Sequence, residues 1–445
     1  MPIPQQTVEQ PYKYGKVSPL VTVNRQTERI RQSAVFIVPK LGIRYVFYAF
    51  IFCLPFEGAG VAVGALFLIK VLGMVLAGLA LCQARLFIKT PPKALWCFAT
   101  YLCLFVVFGL VGIRSNPQDD ELSAAIFQAV FRLLQFLVLF WIAYELMKFD
   151  SIGRGAFLTL GVSCIVLAIL QIVGIGTTDW AQGRVSTFED NPIVVASVLC
   201  LGLMGIIGLA YVRKDATTKM RLLAWLSCGV LLTAIVRTGS RGSLIALALA
   251  LIALTLGRTN MSAKAKTVLI VLAVIGFAGW IVYQVPAVRE RFERTYYEGD
   301  MSGRQDRLAA SWEMFLEKPI IGWGPVEHVY EHGRRIRSIG DPHNLILWLL
   351  NEMGILGTFP FLIGLWLCLR SAWRARAGPQ RGLPLAQLFL VLIVSMDGGF
   401  LYYKWFWFIL SYALASGSSA FASSRIYLQA SAAHAKNAGA PASVT

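Results

Sequence analysis

The chain has 445 residues, of which 57% are hydrophobic and only 15% are charged, and its mean hydropathy is +0.63. Soluble domains carry about 25% charged residues, so this composition excludes an ordinary soluble protein and indicates a membrane protein. A net charge of +17 is also typical of nucleic-acid-binding proteins. Most of the basic residues, however, lie in short gaps between apolar runs, where they set membrane topology and contact anions, so no nucleic acid is expected.

A polar N-terminal segment is followed by a series of apolar runs. A transmembrane helix needs about 20 mostly apolar residues, and runs of this kind predict an all-α, polytopic membrane bundle of about twelve helices. The predicted spans are 41–56, 60–81, 93–113, 122–147, 155–175, 192–212, 222–237, 242–257, 267–284, 354–370, 384–399 and 404–420.

The distribution of basic residues predicts the orientation of these spans. With a cytoplasmic N-terminus, most lysines and arginines of the short loops fall on the cytoplasmic side. The outward short loops hold only Arg114, Arg184, Arg237, Arg241 and Lys404. The predicted organisation is a cytoplasmic tail over 1–40, nine spans over 41–284, an outward loop with a histidine-bearing helix over 285–353, three spans over 354–420, and a disordered cytoplasmic tail over 421–445.

The long outward loop contains a predicted helix. Its apolar residues recur at helical spacing at Leu308, Trp312, Phe315 and Leu316. Ser302 is a suitable N-cap for this helix, Pro319 should end it, and Gly322-Trp323-Gly324 is typical of a turn. We expect the helix to lie along the membrane surface.

Because outward basic residues are few, each outward arginine calls for an explanation. Arg184 lies in a predicted turn before Asn191-Pro192, a pair that favours a helix start. Arg237 and Arg241 flank another tight turn, and Ser240 can cap the helix that begins at Arg241. A helix N-terminus at the outer surface attracts anions, and a guanidinium group binds phosphate oxygens in pairs.

Arg304 and Arg307 lie at the start of the predicted loop helix, on the same outward side. Several arginines and helix N-termini at one membrane face are suited to a phosphate-bearing lipid. The alternative is that these arginines contact ordinary lipid head groups or pair with acids of the long loop, and this alternative carries most weight for Arg237 and Arg307.

His343 is the candidate catalytic residue. It follows Asp341-Pro342, which predicts an N-cap and a first helical residue, so His343 should lie in the first helical turn at the water–membrane boundary. A helix N-terminus disfavours the imidazolium, and a neutral imidazole can act as a general base. The alternative is an interfacial histidine that satisfies backbone groups.

Other polar residues give weaker signals. His328 and His332 are four residues apart, which is a metal-ligand spacing, but one such pair is weak evidence and no metal site is expected. Asp397 lies near the outer end of a span and could hold an acceptor or orient a base. Lys70 and Arg132 lie within predicted spans, where charged residues usually face the bundle interior and pair or line a pathway.

An ordered set of short motifs resembles the O-antigen ligase and polymerase superfamily of bacterial membrane proteins. The matching pieces are Gly183-Arg184-Val185-Ser186-Thr187-Phe188 with Asn191-Pro192, Thr238-Gly239-Ser240-Arg241-Gly242, Gly303-Arg304 with Trp312, Lys318-Pro319-Ile320-Ile321-Gly322-Trp323-Gly324, and His343-Asn344 with Leu347. The resemblance covers roughly 180–370 and leaves Arg304 and Arg307 as alternatives for the loop arginine.

The resemblance implies a GT-C-like, inverting and metal-independent glycosyltransferase without a cofactor, in the inner membrane of a Gram-negative bacterium. It implies a donor glycan on undecaprenyl diphosphate, a lipid A–core acceptor of lipopolysaccharide, and a site on the periplasmic side. Arg184, Arg241, Arg304 and Arg307 would bind the diphosphate, His343 would be the base, and Asp397 would hold the acceptor or orient the base. The chain length and single outward loop resemble the ligase most; the oligomeric state stays open.

Two alternatives remain open at this point. A related polymerase or a protein O-oligosaccharyltransferase would use the same donor with another acceptor. A secondary transporter or lipid flippase is the alternative of another class, and intramembrane charges such as Lys70 and Arg132 favour it. A transporter should show inverted repeats and broken helices at mid-membrane, and neither is evident in the sequence.

Overall fold

The computed structural model describes residues 39–57, 65–87, 91–115, 118–180, 183–188, 190–212, 217–256, 261–284, 289–290, 293, 296–297, 303–337, 342–376, 378 and 380–418. The two predicted terminal tails lie outside the described residues, apart from residues 39 and 40.

The described residues form a helical bundle with one small hairpin. The elements of the first half are α1 (Leu41–Cys53), a 3-10 helix (Leu54–Phe56), α2 (Ala65–Cys82), α3 (Ala84–Phe87), α4 (Lys93–Ser115), α5 (Asp120–Met147), α6 (Asp150–Val173), β1 (Thr177–Trp180), β2 (Arg184–Thr187) and α7 (Pro192–Val212). The elements of the second half are α8 (Thr218–Arg237), α9 (Arg241–Thr255), α10 (Met261–Gln284), α11 (Arg304–Glu317), α12 (Glu327–Ile336), α13 (Leu345–Ala375), α14 (Leu383–Val394), a 3-10 helix (Phe400–Tyr402) and α15 (Lys404–Ser416).

Six of the described helices are long and apolar enough to cross a membrane, judged by length and composition: α4, α5, α6, α7, α8 and α13. Shorter apolar helices lie within α1, α2, α9, α10 and α14. These helices give the chain the make-up of a multi-pass helical membrane protein, as predicted. The predicted total of about twelve spans stays a prediction.

An aromatic cluster joins α4, α5, α13 and α15. The ring of Phe98 in α4 lies 5.3 Å from Phe140, 5.2 Å from Phe361 and 5.2 Å from Trp407, with each pair edge to face. Edge-to-face pairs at these distances are favoured by the charge distribution of the rings. A Cβ atom on Gly364 would lie 2.5 Å from the Phe98 ring, so this glycine lets α13 approach α4 closely.

The hairpin is absent from the all-α prediction. β1 and β2 pair antiparallel, with Trp180 opposite Arg184. The backbone N–H of Phe188 donates to the carbonyl oxygen of Gly176 at 2.6 Å and closes the base of the hairpin. The prediction that Arg184 lies in a turn is therefore wrong, because this residue begins a strand.

Helix α11 is the predicted loop helix, and it ends before Pro319 as expected. It begins at Arg304, and the predicted capping residue Ser302 lies outside the described residues. The face that is buried in the protein contains Ala310, Ser311 and Met314 rather than the apolar stripe. Trp312 and Leu316 of that stripe are exposed, which is compatible with the predicted position on the membrane surface.

Helix α13 contains a break, and the segment after α11 fills it. Gly354 has φ 59° and ψ −168°, which interrupts the helical hydrogen bonds. The carbonyls of Asn351 and Glu352 accept hydrogen bonds from the N–H groups of Trp323 and Gly324, at 2.7 and 3.1 Å. The freed N–H groups also have partners. The N–H of Ile355 donates to the carbonyl oxygen of Pro319 at 2.9 Å, and that of Leu356 donates to the carbonyl oxygen of Ile320 at 3.1 Å. Backbone groups at the level of lipid need such partners, because no water is available there.

Two glycines permit this close docking. Gly322 has φ 70°, and a Cβ atom added to it would lie 2.6 Å from the nitrogen of Gly354 and 2.7 Å from the carbonyl oxygen of Asn351. A Cβ atom on Gly354 would overlap the carbonyl oxygen of Ile320. The Gly-Trp-Gly turn of the sequence is therefore a backbone-to-backbone contact with the break in α13.

We predict that Gly322→Ala destabilises the protein. An alanine at position 322 would keep the positive φ, and its Cβ atom would overlap backbone atoms of α13. The overlap is relieved only if the turn separates from α13, which should lower the free energy of unfolding by about 1–3 kcal/mol. The measurement is the apparent thermal unfolding midpoint in detergent. The matched control is Gly229→Ala in α8, where nothing lies within 4 Å of the added atom. An unchanged midpoint for Gly322→Ala would contradict this account of the turn.

Candidate active site

Asp397 is the carboxylate around which the predicted site residues gather. It lies in the turn after α14, and it is buried, with 6% of its surface exposed. Arg304, the first residue of α11, places Nη2 2.5 Å from Asp397 Oδ1. The charges of Arg184 and His343 also act on this carboxylate. Because ion pairs are strong where water is excluded, Asp397 holds the start of α11 against the end of α14.

Gly242 explains why Asp397 can lie against helix α9. A Cβ atom at position 242 would overlap Asp397 Oδ2, so only glycine leaves room for the carboxylate. Ser240 is the N-cap of α9, as predicted, and its Oγ accepts a hydrogen bond from the N–H of Ser243 at 3.4 Å. The helix dipole favours a negative charge at this end. Arg241, the first residue of α9, is the neighbour of Gly242 and is half-buried.

Arg184 connects the hairpin to the turn before α9. Its Nε donates to the carbonyl oxygen of Thr238 at 3.1 Å. Asn191 then starts α7 as predicted, because its Oδ1 accepts from the N–H of Ile193 at 2.9 Å. The predicted helix start is confirmed, and the hairpin lies at the same end of the bundle as the start of α9.

Arg237 has a structural role. Its Nη1 lies 3.4 Å from the carbonyl oxygen of Gln171 and 3.2 Å from that of Ile172. Both carbonyls belong to the last turn of α6, whose carbonyl groups have no helical partner. Arg237 therefore caps α6, a contact that the sequence analysis did not predict.

His343 is held through both ring nitrogens. Nδ1 lies 3.1 Å from the backbone carbonyl oxygen of Asp397, and Nε2 lies 3.0 Å from Nη1 of Arg307. A carbonyl only accepts and a guanidinium only donates, so these partners assign the proton to Nδ1 and the lone pair to Nε2.

The predicted helix start at Asp341-Pro342 is wrong. Helix α13 begins at Leu345, and the side chain of Asn344 caps it by accepting from the N–H groups of Ile346 and Leu347, at 3.0 and 3.1 Å. His343 precedes the helix with φ 51°, and Asp341 lies outside the described residues. The ring is therefore oriented by its hydrogen bonds and not by a place in the first helical turn.

Arg304 and Arg307, which the sequence left as alternatives, both reach the site and have different partners. Arg304 pairs with the Asp397 carboxylate, whereas Arg307 contacts His343. One turn separates them on α11, so both project to the same side. The backbone carbonyl of Arg307 also lies 3.2 Å from Nε2 of His332, which joins α11 to α12.

Two opposing effects act on the carboxyl group of Asp397. Burial is the larger, and it raises the pKa because the charged form loses its hydration. The positive charges of Arg304 and Arg184 oppose this rise. The charge on Asp397 therefore depends on its cationic neighbours, and a step that withdraws Arg304 favours the protonated form.

The rings of His328 and His332 have different hydrogen-bond partners and do not face one common metal position. The ring of His328 lies 3.4 Å from the carbonyl oxygen of Gly324, whereas that of His332 contacts Arg307. Burial lowers the pKa of His328 to about 3, so this ring is neutral. Within the described ranges, no group of three or more His, Cys, Asp or Glu residues is placed to hold a metal ion.

A buried polar cluster beside the site was not predicted from the sequence. Glu352 in α13 is fully buried, and its carboxyl group accepts hydrogen bonds from Tyr101 at 2.8 Å and Tyr402 at 3.2 Å. The available signal was an acidic residue within an apolar helix, which usually marks a functional or paired position. Arg132 lies near this cluster, and its guanidinium carbon is 5.8 Å from the centre of the Tyr402 ring.

A search of curated proteins finds no match to the chain. Residues 226–362 match the family model Wzy_C, described as O-antigen ligase. The matched segment contains Arg241, Arg304, Arg307 and His343, whereas Arg184 and Asp397 lie outside it. From the middle of α8 to the middle of α13, the chain is therefore similar to the O-antigen ligase (Wzy_C) family.

Proposed function

We propose that this protein is an O-antigen ligase that transfers a polysaccharide from undecaprenyl diphosphate to the lipid A–core of lipopolysaccharide. The Wzy_C domain implies the transfer of a lipid-linked glycan, and the family includes both polymerases and ligases. The observation that carries the proposal is the convergence of His343, Arg304 and Arg307 on one buried turn around Asp397.

The arginines would stabilise the departing diphosphate. Arg304 and Arg184 act on the Asp397 carboxylate, and Arg307 contacts the neighbouring His343. With Arg241 at the start of the helix whose Gly242 lies against Asp397, positive charge would be in excess. Negative charge grows on the diphosphate as the anomeric carbon–oxygen bond breaks, and fixed cations in a partly buried site stabilise it without reorganisation. The N-terminus of α9 adds its dipole at the same place.

His343 would accept the proton of the attacking hydroxyl group. The acceptor oxygen forms a bond to the anomeric carbon, the undecaprenyl diphosphate leaves with the electron pair of the old bond, and the hydroxyl proton passes to Nε2. A single displacement of this kind inverts the anomeric centre. Because Arg307 Nη1 lies 3.0 Å from Nε2, the acceptor hydroxyl would take its place while Arg307 turns toward the diphosphate.

Asp397 would act in two ways that together orient the base. Its backbone carbonyl holds the Nδ1–H tautomer of His343, which leaves the lone pair on Nε2. Its carboxylate holds Arg304 in reach of the donor. The positive-inside distribution puts all of these groups on the outward side, so the reaction would occur at the periplasmic face of the Gram-negative inner membrane.

The acceptor distinguishes the ligase from its relatives. Cells that lack the protein should make lipid A–core without long polysaccharide and accumulate the undecaprenyl-linked polymer. Shortened polymer would instead indicate a polymerase, and loss of glycan from a protein would indicate a protein O-oligosaccharyltransferase. Uptake or flipping by proteoliposomes, with no glycosyl product, would indicate a transporter or flippase.

We predict that His343→Gln and His343→Ala are both inactive. Glutamine can keep hydrogen bonds to Asp397 and Arg307 but cannot take up a proton, and loss of a general base typically costs about 10²–10⁴ in rate. The measurement is ligation with purified lipid-linked glycan and lipid A–core, read on a gel. Near-normal turnover by His343→Gln would remove the base from the mechanism.

We predict that Arg241→Ala lowers kcat by about 10²–10³, as expected for one preorganised group that stabilises the leaving group. Arg237→Ala is the matched control, because it lies four residues earlier and caps α6. It should lower the thermal unfolding midpoint while keeping most of the activity. Equal losses of kcat in the two variants would argue against a diphosphate site at Arg241.

We predict that ligation continues at its full rate with excess chelator, because guanidinium groups supply the positive charge at the leaving group. The measurement compares initial rates with and without the chelator, and then after Mg²⁺ or Mn²⁺ is added back. A rate that falls with chelator and returns with metal would overturn the metal-independent mechanism.

A further inference from the structure

Glu352 connects three parts of the structure at the outer end of α13. Its Oε2 accepts from the hydroxyl group of Tyr101 in α4, and its Oε1 accepts from that of Tyr402. Its backbone carbonyl accepts from the N–H of Gly324, in the segment that leads to α12. His328 of α12 lies 3.9 Å from the same carboxyl group.

Residues 395–402, which follow α14, are called the Asp397 turn here. The hydrogen bond from Tyr402 to Glu352 completes the attachment of this turn to α13. At its start, the turn is held by the N–H of Leu345, which donates to the carbonyl oxygen of Ser395 at 2.9 Å. In its middle, His343 bonds to the carbonyl of Asp397. At its end, Tyr402 bonds to Glu352 at 3.2 Å. Helix α13, which begins two residues after His343, therefore holds both ends of the Asp397 turn. The middle of that turn orients the His343 ring.

Packing alone does not account for an acid at this position. A buried carboxyl group loses its hydration, and an apolar side chain of similar size would fill the space at lower cost. Two carboxyl oxygens can, however, accept from two phenols that approach from different helices, which an apolar residue cannot do. The arrangement sets a distance between α4, α13 and the Asp397 turn.

We propose that Glu352 is a positioning residue, which acts through Tyr402 on the Asp397 turn and so on the orientation of the His343 ring. This proposal rests on the proposed function, because it assigns Glu352 to the same reaction. The hydrogen bond from Tyr101 to the same carboxyl group serves as the control. Tyr101 lies in α4, a helix that contains no predicted site residue.

The experiment compares Tyr402→Phe with Tyr101→Phe. Each variant removes one phenol–carboxyl hydrogen bond from Glu352. We expect Tyr402→Phe to lower kcat by about tenfold with little change in KM for the lipid-linked glycan, which is the scale of one lost hydrogen bond. Tyr101→Phe should keep most of the wild-type kcat. Equal effects of the two variants on kcat, or no effect of Tyr402→Phe, would overturn the proposal.

Glu352 itself supplies a second comparison. Glu352→Gln keeps an acceptor for one phenol and offers an amide to the other, so it should restore most of the kcat that Glu352→Ala loses. A purely space-filling role predicts that Glu352→Leu restores activity as well as Glu352→Gln does, and that result would also overturn the proposal.

A readout that does not need turnover separates this proposal from the proposed function. The chain has four histidines, and ¹⁵N NMR of labelled histidine, assigned with His343→Gln, reports the tautomer of His343. We expect the Nδ1–H tautomer in the wild type and a reduced share of it in Tyr402→Phe but not in Tyr101→Phe. If wild-type protein yields no ligation product, the proposed function fails while this measurement still decides the positioning role. An unchanged tautomer in Tyr402→Phe would overturn it.

Discussion

The ion pair between Asp397 and Arg304 organises the candidate active site of this protein. A buried carboxylate needs a partner, and here the partner comes from a different segment, the first residue of α11. The same turn lies against α9 because Gly242 leaves room for it, and its backbone carbonyl holds His343. Asp397 thus brings a loop helix, a membrane helix and a histidine together, although these three parts are not neighbours in the sequence.

A second constraint comes from the backbone of α13. A helix that breaks at Gly354 leaves donors and acceptors without partners, and these cannot be satisfied by lipid. The segment around Gly322 supplies them, and it does so as a turn lying against the break. The loop between α11 and α12 is therefore part of the bundle, and the position of Arg304 and Arg307 depends on that attachment.

Sequence reasoning identified the features that depend on local chemistry. The caps Asn191 and Ser240 could be predicted because a side chain satisfies N–H groups two or three residues away. The gathering of the arginines followed from charge bias along the chain. The start of α13 was mispredicted, since Asp341-Pro342 has the residue types of a cap but Asn344 makes the bonds. The Glu352 cluster depends on partners far apart in sequence. The two strands of the hairpin are neighbours in sequence but are short, so no periodic pattern reveals them.

The contact between Arg307 and His343 has a consequence for competition with water. A glycan on a diphosphate is an activated compound, and water competes with the acceptor wherever solvent reaches such a site. With the Nε2 lone pair directed at a guanidinium group, a stray water molecule finds no base to deprotonate it. In the proposed reaction, only an arriving sugar that displaces Arg307 would gain that base, so the resting protein would be protected against wasteful hydrolysis of its own substrate.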